Sequence, residues 1–139
     1  MTEIAVITGA SAGIGRAAAR EFARRGCSVA LVARGRDGLD AAAREVEELG
    51  GRALVIQADV ADSAQVERAA DRVVEEFGRI DIWVNNAFAG IFSRYIGEYP
   101  CHFGAVLYIM KKMRDSGIKK PLFVESYGYC SDNTNTTGH

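Results

Sequence analysis

Glu3-Ile4-Ala5-Val6-Ile7-Thr8-Gly9-Ala10-Ser11-Ala12-Gly13-Ile14-Gly15 is the stretch that decides the fold of this chain. Its first six residues form a short β-rich apolar run, and the rest is a turn holding three glycines. From residue 13 to residue 25, Ala, Ile, Phe and Arg recur at helical spacing until Gly26. A strand that passes through such a turn straight into a helix leaves unpaired N–H groups and the positive end of a helix dipole at the turn. Both stabilise an anion there. Gly9 permits the sharp turn, Gly13 lets backbone approach a pyrophosphate, and Gly15 allows close helix packing.

The same alternation continues outward. Ser28-Val29-Ala30-Leu31-Val32-Ala33 is a continuous apolar run, as expected of a strand buried on both faces of a parallel sheet. Residues 37–49 place Leu39, Ala42, Val46 and Leu49 on one helical face, stopped by Gly50-Gly51. A third strand runs from Arg52 to Asp59, and a third helix over 63–77 is capped by Asp62 or Ser63 and closed by Gly78. Ile80 to Asn85 reads as a fourth strand, residues 101–115 as a fourth helix, and Leu122-Phe123-Val124 as a fifth strand. Strands alternating with helices of this length predict an α/β fold of βαβ units with right-handed crossovers.

Composition bounds the rest. The 139 residues suit one domain, 1–139, with 48% hydrophobic and 25% charged residues. A net charge of −1 offers no global field to nucleic acid or an anionic membrane. No apolar run approaches a membrane span, and Met1-Thr2-Glu3-Ile4 lacks the basic start of a secretory leader. Three widely spaced cysteines (Cys27, Cys101, Cys130) fit a reducing cytoplasm. The average conceals a break: all five tyrosines, all four lysines and both prolines lie at position 95 or later. Through residue 100 there are twelve basic against fifteen acidic side chains, and beyond it five against three. This suggests that segments of different origin meet near residues 87–95. Residues 1–90 would then be completed by 91–131, with a frayed tail over 132–139.

The T-G-x-x-x-G-I-G form of Thr8 to Gly15 resembles the short-chain dehydrogenase/reductase family, and three further motifs follow in that family's order. Leu31-Val32-Ala33-Arg34 is similar to the end of the second strand, where the cofactor is chosen. Ala58-Asp59-Val60 is similar to the element whose Asp would bind adenine, and Asn85-Asn86-Ala87 to the start of N-N-A-G beside the nicotinamide ribose. The resemblance implies a doubly wound, Rossmann-like three-layer sandwich of about five parallel strands in the order 3-2-1-4-5. It also implies a nicotinamide dinucleotide held by Thr8, Gly9, Ser11, Gly13, Ile14, Gly15, Arg34, Asp59, Val60, Asn85, Asn86 and Ala87. An acid at the end of the second strand would favour NAD(H); Ala33-Arg34 stands there instead, which favours NADP(H) because a guanidinium binds phosphate.

The resemblance thins after Ala87, where N-N-A-G is interrupted by Phe88-Ala89. The family's proton-transfer set is S-x12-Y-x-x-x-K. Ser126, after the fifth strand, is the best match to its Ser, but thirteen residues on stands His139. Tyr108 and Lys112 make a literal Y-x-x-x-K on one helix face, yet they precede the fifth strand. They are either catalytic or a packed Tyr beside a solvated Lys. Cys101-His102 lacks partners for zinc, so no metal is expected.

Three functions therefore stand open. The first is an NADP(H)-binding domain, truncated or chimeric, without efficient catalysis. The second is an active NADP-dependent oxidoreductase with atypical catalytic groups. The third is a structural or engineered scaffold whose nucleotide site is empty. An exposed fifth strand further suggests self-association or a homodimer.

Overall fold

The computed structural model describes residues 2–86 and 107–118 in full, and residues 100–106 and 122–125 as backbone. In chain order the elements are β1 (Ile4–Thr8), α1 (Gly13–Arg24), β2 (Ser28–Ala33), α2 (Arg36–Glu48), β3 (Ala53–Gln57), α3 (Ser63–Phe77), β4 (Ile82–Asn85), α4 (Pro100–Asp115) and β5 (Leu122–Glu125). The strands form one parallel sheet in the order β3-β2-β1-β4-β5. The expected junction of segments at 87–95 and the tail at 132–139 lie outside the described residues.

Period-2 alternation along the central strands supplies two cores. On β1 and β2, Ala5, Ile7, Val29 and Leu31 face α1 and α2, and pack with Ala19, Ala23, Leu39, Ala42 and Val46. Val6, Ala30 and Val32 point the other way, toward Val66, Ala69, Ala70 and Val73 of α3 and Ile109 and Met113 of α4. Every residue of β1 and β2 is consequently buried, which is why both strands read as unbroken apolar runs.

The first pair of helices is tied by charge. Arg16 and Arg20 of α1 reach Glu45 of α2 at 2.5 and 3.2 Å, and the Arg16 hydrogen bond holds the Glu45 carboxyl down at about 2. At the head of α3, Asp62 accepts the backbone N–H groups of Ala64 and Gln65. The fourth strand begins at Ile82 and not at Ile80. Asp81 takes the Ile4 N–H on its carboxylate at 2.7 Å, removing a donor the ladder would otherwise use.

Candidate functional site

The carboxyl ends of β1, β2, β3 and β4 meet along one edge of the sheet. The chain runs outward through β1, β2 and β3, then returns to place β4 on the other side of β1. That reversal opens a crevice between β1 and β4, the place where open α/β sheets hold their ligands.

The glycine-rich turn forms the floor of the crevice. Gly9 and Gly13 sit in the left-handed region, with φ of 68° and 59°. The Gly9 and Ala10 N–H groups both donate to the Val32 carbonyl, at 2.8 and 3.3 Å, which fastens the turn to the end of β2. Gly15 is the point of closest approach: a Cβ there would lie 2.1 Å from the Gly9 carbonyl oxygen and 2.7 Å from Asn86 Nδ2. From the far side, Thr8 Oγ1 accepts the Asn86 N–H at 3.0 Å and lies 3.3 Å from Asn85 Oδ1. Turn, α1 and the end of β4 therefore form one unit.

No side chain caps α1, whose N-cap residue is Ala12, whereas α3 is capped by Asp62. Among the described residues, the first N–H groups of α1 thus face the mouth of the turn without a side-chain cap. Ile14 projects beside them, 79% exposed. At Gly13 a Cβ would meet nothing within 4 Å among the described residues, which leave the space above the turn clear. A shaped loop, free helix N–H groups and room above them fit the phosphates of a dinucleotide.

A second pocket of about 200 Å³ lies at the ends of β2 and β3, lined by Arg34, Gln57, Ala58, Asp59 and Gln65. Asp59 Oδ1 accepts the Ala61 N–H at 2.9 Å, and the Asp59 N–H donates to Gln65 Oε1 at 2.9 Å. Gln57 Nε2 donates to the Arg34 carbonyl at 2.8 Å and so holds the start of the β2–α2 loop over the pocket. Val60 packs half-buried against the α3 core. Sequence reading did not single out Gln57 or Gln65. The Asp62-x-x-Gln65 spacing of a capping box was the signal for the second, since Gln65 Nε2 also donates to Asp62 at 3.0 Å.

Tyr108 and Lys112 point elsewhere. Both reach one carboxylate oxygen of Asp71 on α3, Tyr108 donating from its hydroxyl at 2.6 Å and Lys112 from Nζ at 2.5 Å. Lys112 also lies 5.8 Å from the Tyr108 ring centre. The Lys112 and then the Tyr108 hydrogen bond push the Asp71 carboxyl below its ordinary value. The same contact raises the Tyr108 hydroxyl and the Lys112 ammonium above theirs. Ser126 and Ala87 lie outside the described residues. Among the described residues, no three His, Cys, Asp or Glu side chains gather to hold a metal ion, and no helix is long and apolar enough to cross a membrane.

This clamp sets a pH dependence. A carboxyl whose folded pKa is depressed contributes stability above its unfolded value and loses it as pH falls through the folded value. Resistance to urea unfolding should therefore weaken below about pH 4, the ordinary carboxylate range. Asp71→Asn should make this acid limb shallower, with Glu45, also held low, keeping part of it. At pH 7 it should cost less than about 1 kcal/mol, because the Asp71 side chain is 40% exposed and screened. An unchanged acid limb in the variant would show that the clamp contributes nothing.

Comparison with known proteins agrees with this geometry. A family model described as short chain dehydrogenase matches residues 3–98, running past Ala87, where the motif reading stopped. The uncharacterized oxidoreductase YxnA of Bacillus subtilis (strain 168) is 35% identical over 121 residues, covering 87% of this chain and 32% of that protein. L-sorbose reductase from Gluconobacter frateurii, solved with NADPH and L-sorbose, is 35% identical with a TM-score of 0.69, over 83% of this chain and 47% of that one. An alcohol dehydrogenase from the archaeon Thermococcus sibiricus, solved with 5-hydroxy-NADP, is 37% identical with a TM-score of 0.67, over 84% and 53%. The chain spans about a third of the length of the curated relatives it matches.

Proposed function

The chain belongs to the short chain dehydrogenase family, and on that premise we propose that it is an NADP(H)-binding unit of an oxidoreductase. The observation that carries this reading is the cradle itself: Gly9, Gly13 and Gly15 at the β1/β4 reversal, with uncapped α1 N–H groups above and Arg34 beside the Asp59 pocket. When bound, a nicotinamide dinucleotide accepts or supplies a hydride. The chain's own residues bind and orient it. The turn and the first N–H groups of α1 hold the pyrophosphate, and Asp59 hydrogen-bonds the adenine. Arg34 neutralises a 2′-phosphate, a role consistent with the absence of an acid at the end of β2. Both solved relatives described above carry NADP-type cofactors.

In this reading Tyr108 and Lys112 are not the proton-transfer pair. Their donors are committed to Asp71, on the flank where α3 meets α4, and they fasten those helices together. A Tyr108→Phe variant should bind NADPH as the parent does, and should match its rate of NADPH consumption against a panel of aldehydes and ketones. A specific loss of turnover in that variant would instead make Tyr108 catalytic.

Calorimetric titration tests the cofactor. NADPH is expected to bind at least about tenfold more tightly than NADH. Arg34→Glu should weaken NADPH by roughly 10–100-fold, about 1.4–2.8 kcal/mol, while leaving NADH within a few-fold. No binding of either cofactor at millimolar concentration would overturn the proposal and favour an empty scaffold.

A further inference from the structure

We infer that Gly38, in the first turn of α2, sets the spacing between the glycine-rich turn and the Arg34 loop, and is thereby a positioning residue for NADP(H). The inference rests on the cofactor reading above and extends it to a helix that touches no phosphate itself. A Cβ on Gly38 would lie 2.8 Å from Ser11 Cβ and 2.8 Å from the Ser11 carbonyl oxygen. Ser11 is the middle residue of the turn between Gly9 and Gly13. At least one of those contacts is backbone, which cannot swing aside as a side chain tip can, so any larger residue must push α2 and the turn apart.

Glycine is not at this position for the sake of the helix. In a helix it costs up to about 1 kcal/mol relative to alanine. It is also unneeded for an unusual backbone angle, since Gly38 is absent from the positive-φ glycines of the described chain. What it provides is close approach. Two other contacts converge on the same region: the Gly9 and Ala10 N–H groups on the Val32 carbonyl, and Gln57 Nε2 on the Arg34 carbonyl. The turn is thus fixed to the end of β2 and the Arg34 loop to the end of β3. Gly38 against Ser11 sets the remaining distance, the one a ligand must span if its pyrophosphate lies on the turn and its 2′-phosphate on Arg34.

Gly35 supplies the control. It precedes the same helix with a φ of −87°, and a Cβ there would meet nothing within 4 Å. Parent, Gly38→Ala and Gly35→Ala forms of the full chain are titrated with NADPH, which spans both anchors, and with adenosine 2′-monophosphate, which reaches only the Arg34 side. Gly38→Ala should raise the NADPH Kd at least about fivefold and leave the monophosphate within twofold, with Gly35→Ala like the parent for both. Its melting temperature should fall less than that of Gly15→Ala, since the contact is less severe and alanine's gain in the helix offsets part of it. A folded Gly38→Ala protein with the parent's NADPH affinity overturns the inference alone. A parallel loss of both ligands with a lowered melting temperature also overturns it, by making Gly38 a folding residue. A parent that binds neither ligand overturns the cofactor reading as well.

Discussion

Gly15→Ala is expected to abolish measurable NADPH binding and to cost about 1–3 kcal/mol of folding stability, the range for forcing extra atoms into a packed site. Helix propensity alone argues the opposite sign, because alanine in a helix gains up to about 1 kcal/mol over glycine. Sterics decide the outcome. The added methyl would sit 2.1 Å from the Gly9 carbonyl oxygen and 2.7 Å from Asn86 Nδ2, so both the turn and the end of β4 would have to move. Those two segments frame the crevice, and the anchors at Thr8 and Val32 tie their movement to β1 and β2. The loss of binding should therefore exceed what the loss of stability alone would produce. Gly13→Ala should lose binding by a different route: its Cβ meets none of the described residues within 4 Å, so the left-handed φ of 59° costs about 1–2 kcal/mol of stability while the methyl enters the space proposed for the phosphates. Urea unfolding and NADPH titration on both variants test this. A Gly15→Ala protein with the parent's stability and affinity would mean that α1 does not pack on the turn as described.

The fold was legible because its signals are local and agree with one another. A strand buried on both faces has to be apolar throughout, so Ser28 to Ala33 needs no knowledge of its neighbours to be read as a central strand. Asp62 before α3 and Gly78 after it mark the ends of that helix by capping chemistry within a few residues. The glycine-rich turn was legible for the same reason: Thr8 to Gly15 carries its own turn, helix start and close-packing glycine in eight consecutive residues.

What stayed hidden depends on contacts between distant segments. The spacing of Tyr108 and Lys112 says that they share a helix face, but not that the face meets Asp71, 37 residues before Tyr108. Gly38 looks like a defect in α2 until Ser11 is placed against it. Asp81 reads as part of a strand, and only its bond to the Ile4 N–H shows why the ladder starts at Ile82, two residues after Ile80. The break in composition near residues 87–95 is a signal of another kind. Residue usage reflects surface chemistry as much as ancestry, and the family match continues through the interrupted N-N-A-G to residue 98.

Trp83→Ala is expected to be the most destabilising single substitution in the described core, at about 3–5 kcal/mol in urea unfolding. Trp83 is the largest fully buried side chain, 1% exposed, and shares the α3–α4 core with Ile80, Ile109 and Met113. Its strand lies between β1 and β5, so the sheet backbone on both sides is held and cannot collapse into the cavity left behind. Trp83→Phe should behave very differently. Trp83 Nε1 is buried with no hydrogen-bond partner among the described residues, an arrangement that costs about 1–3 kcal/mol. Phenylalanine removes that donor while keeping one aromatic ring, so the relief offsets much of the lost packing, and the variant should lie within about 1.5 kcal/mol of the parent. NADPH affinity should be retained in Trp83→Phe, because the side chain faces the α3–α4 core and not the crevice. Since this is the chain's single tryptophan, unfolding has to be followed by circular dichroism. If the phenylalanine variant fell as far as the alanine variant, the indole N–H would be contributing to stability, and the unpaired donor could not be the reason tryptophan is replaceable there.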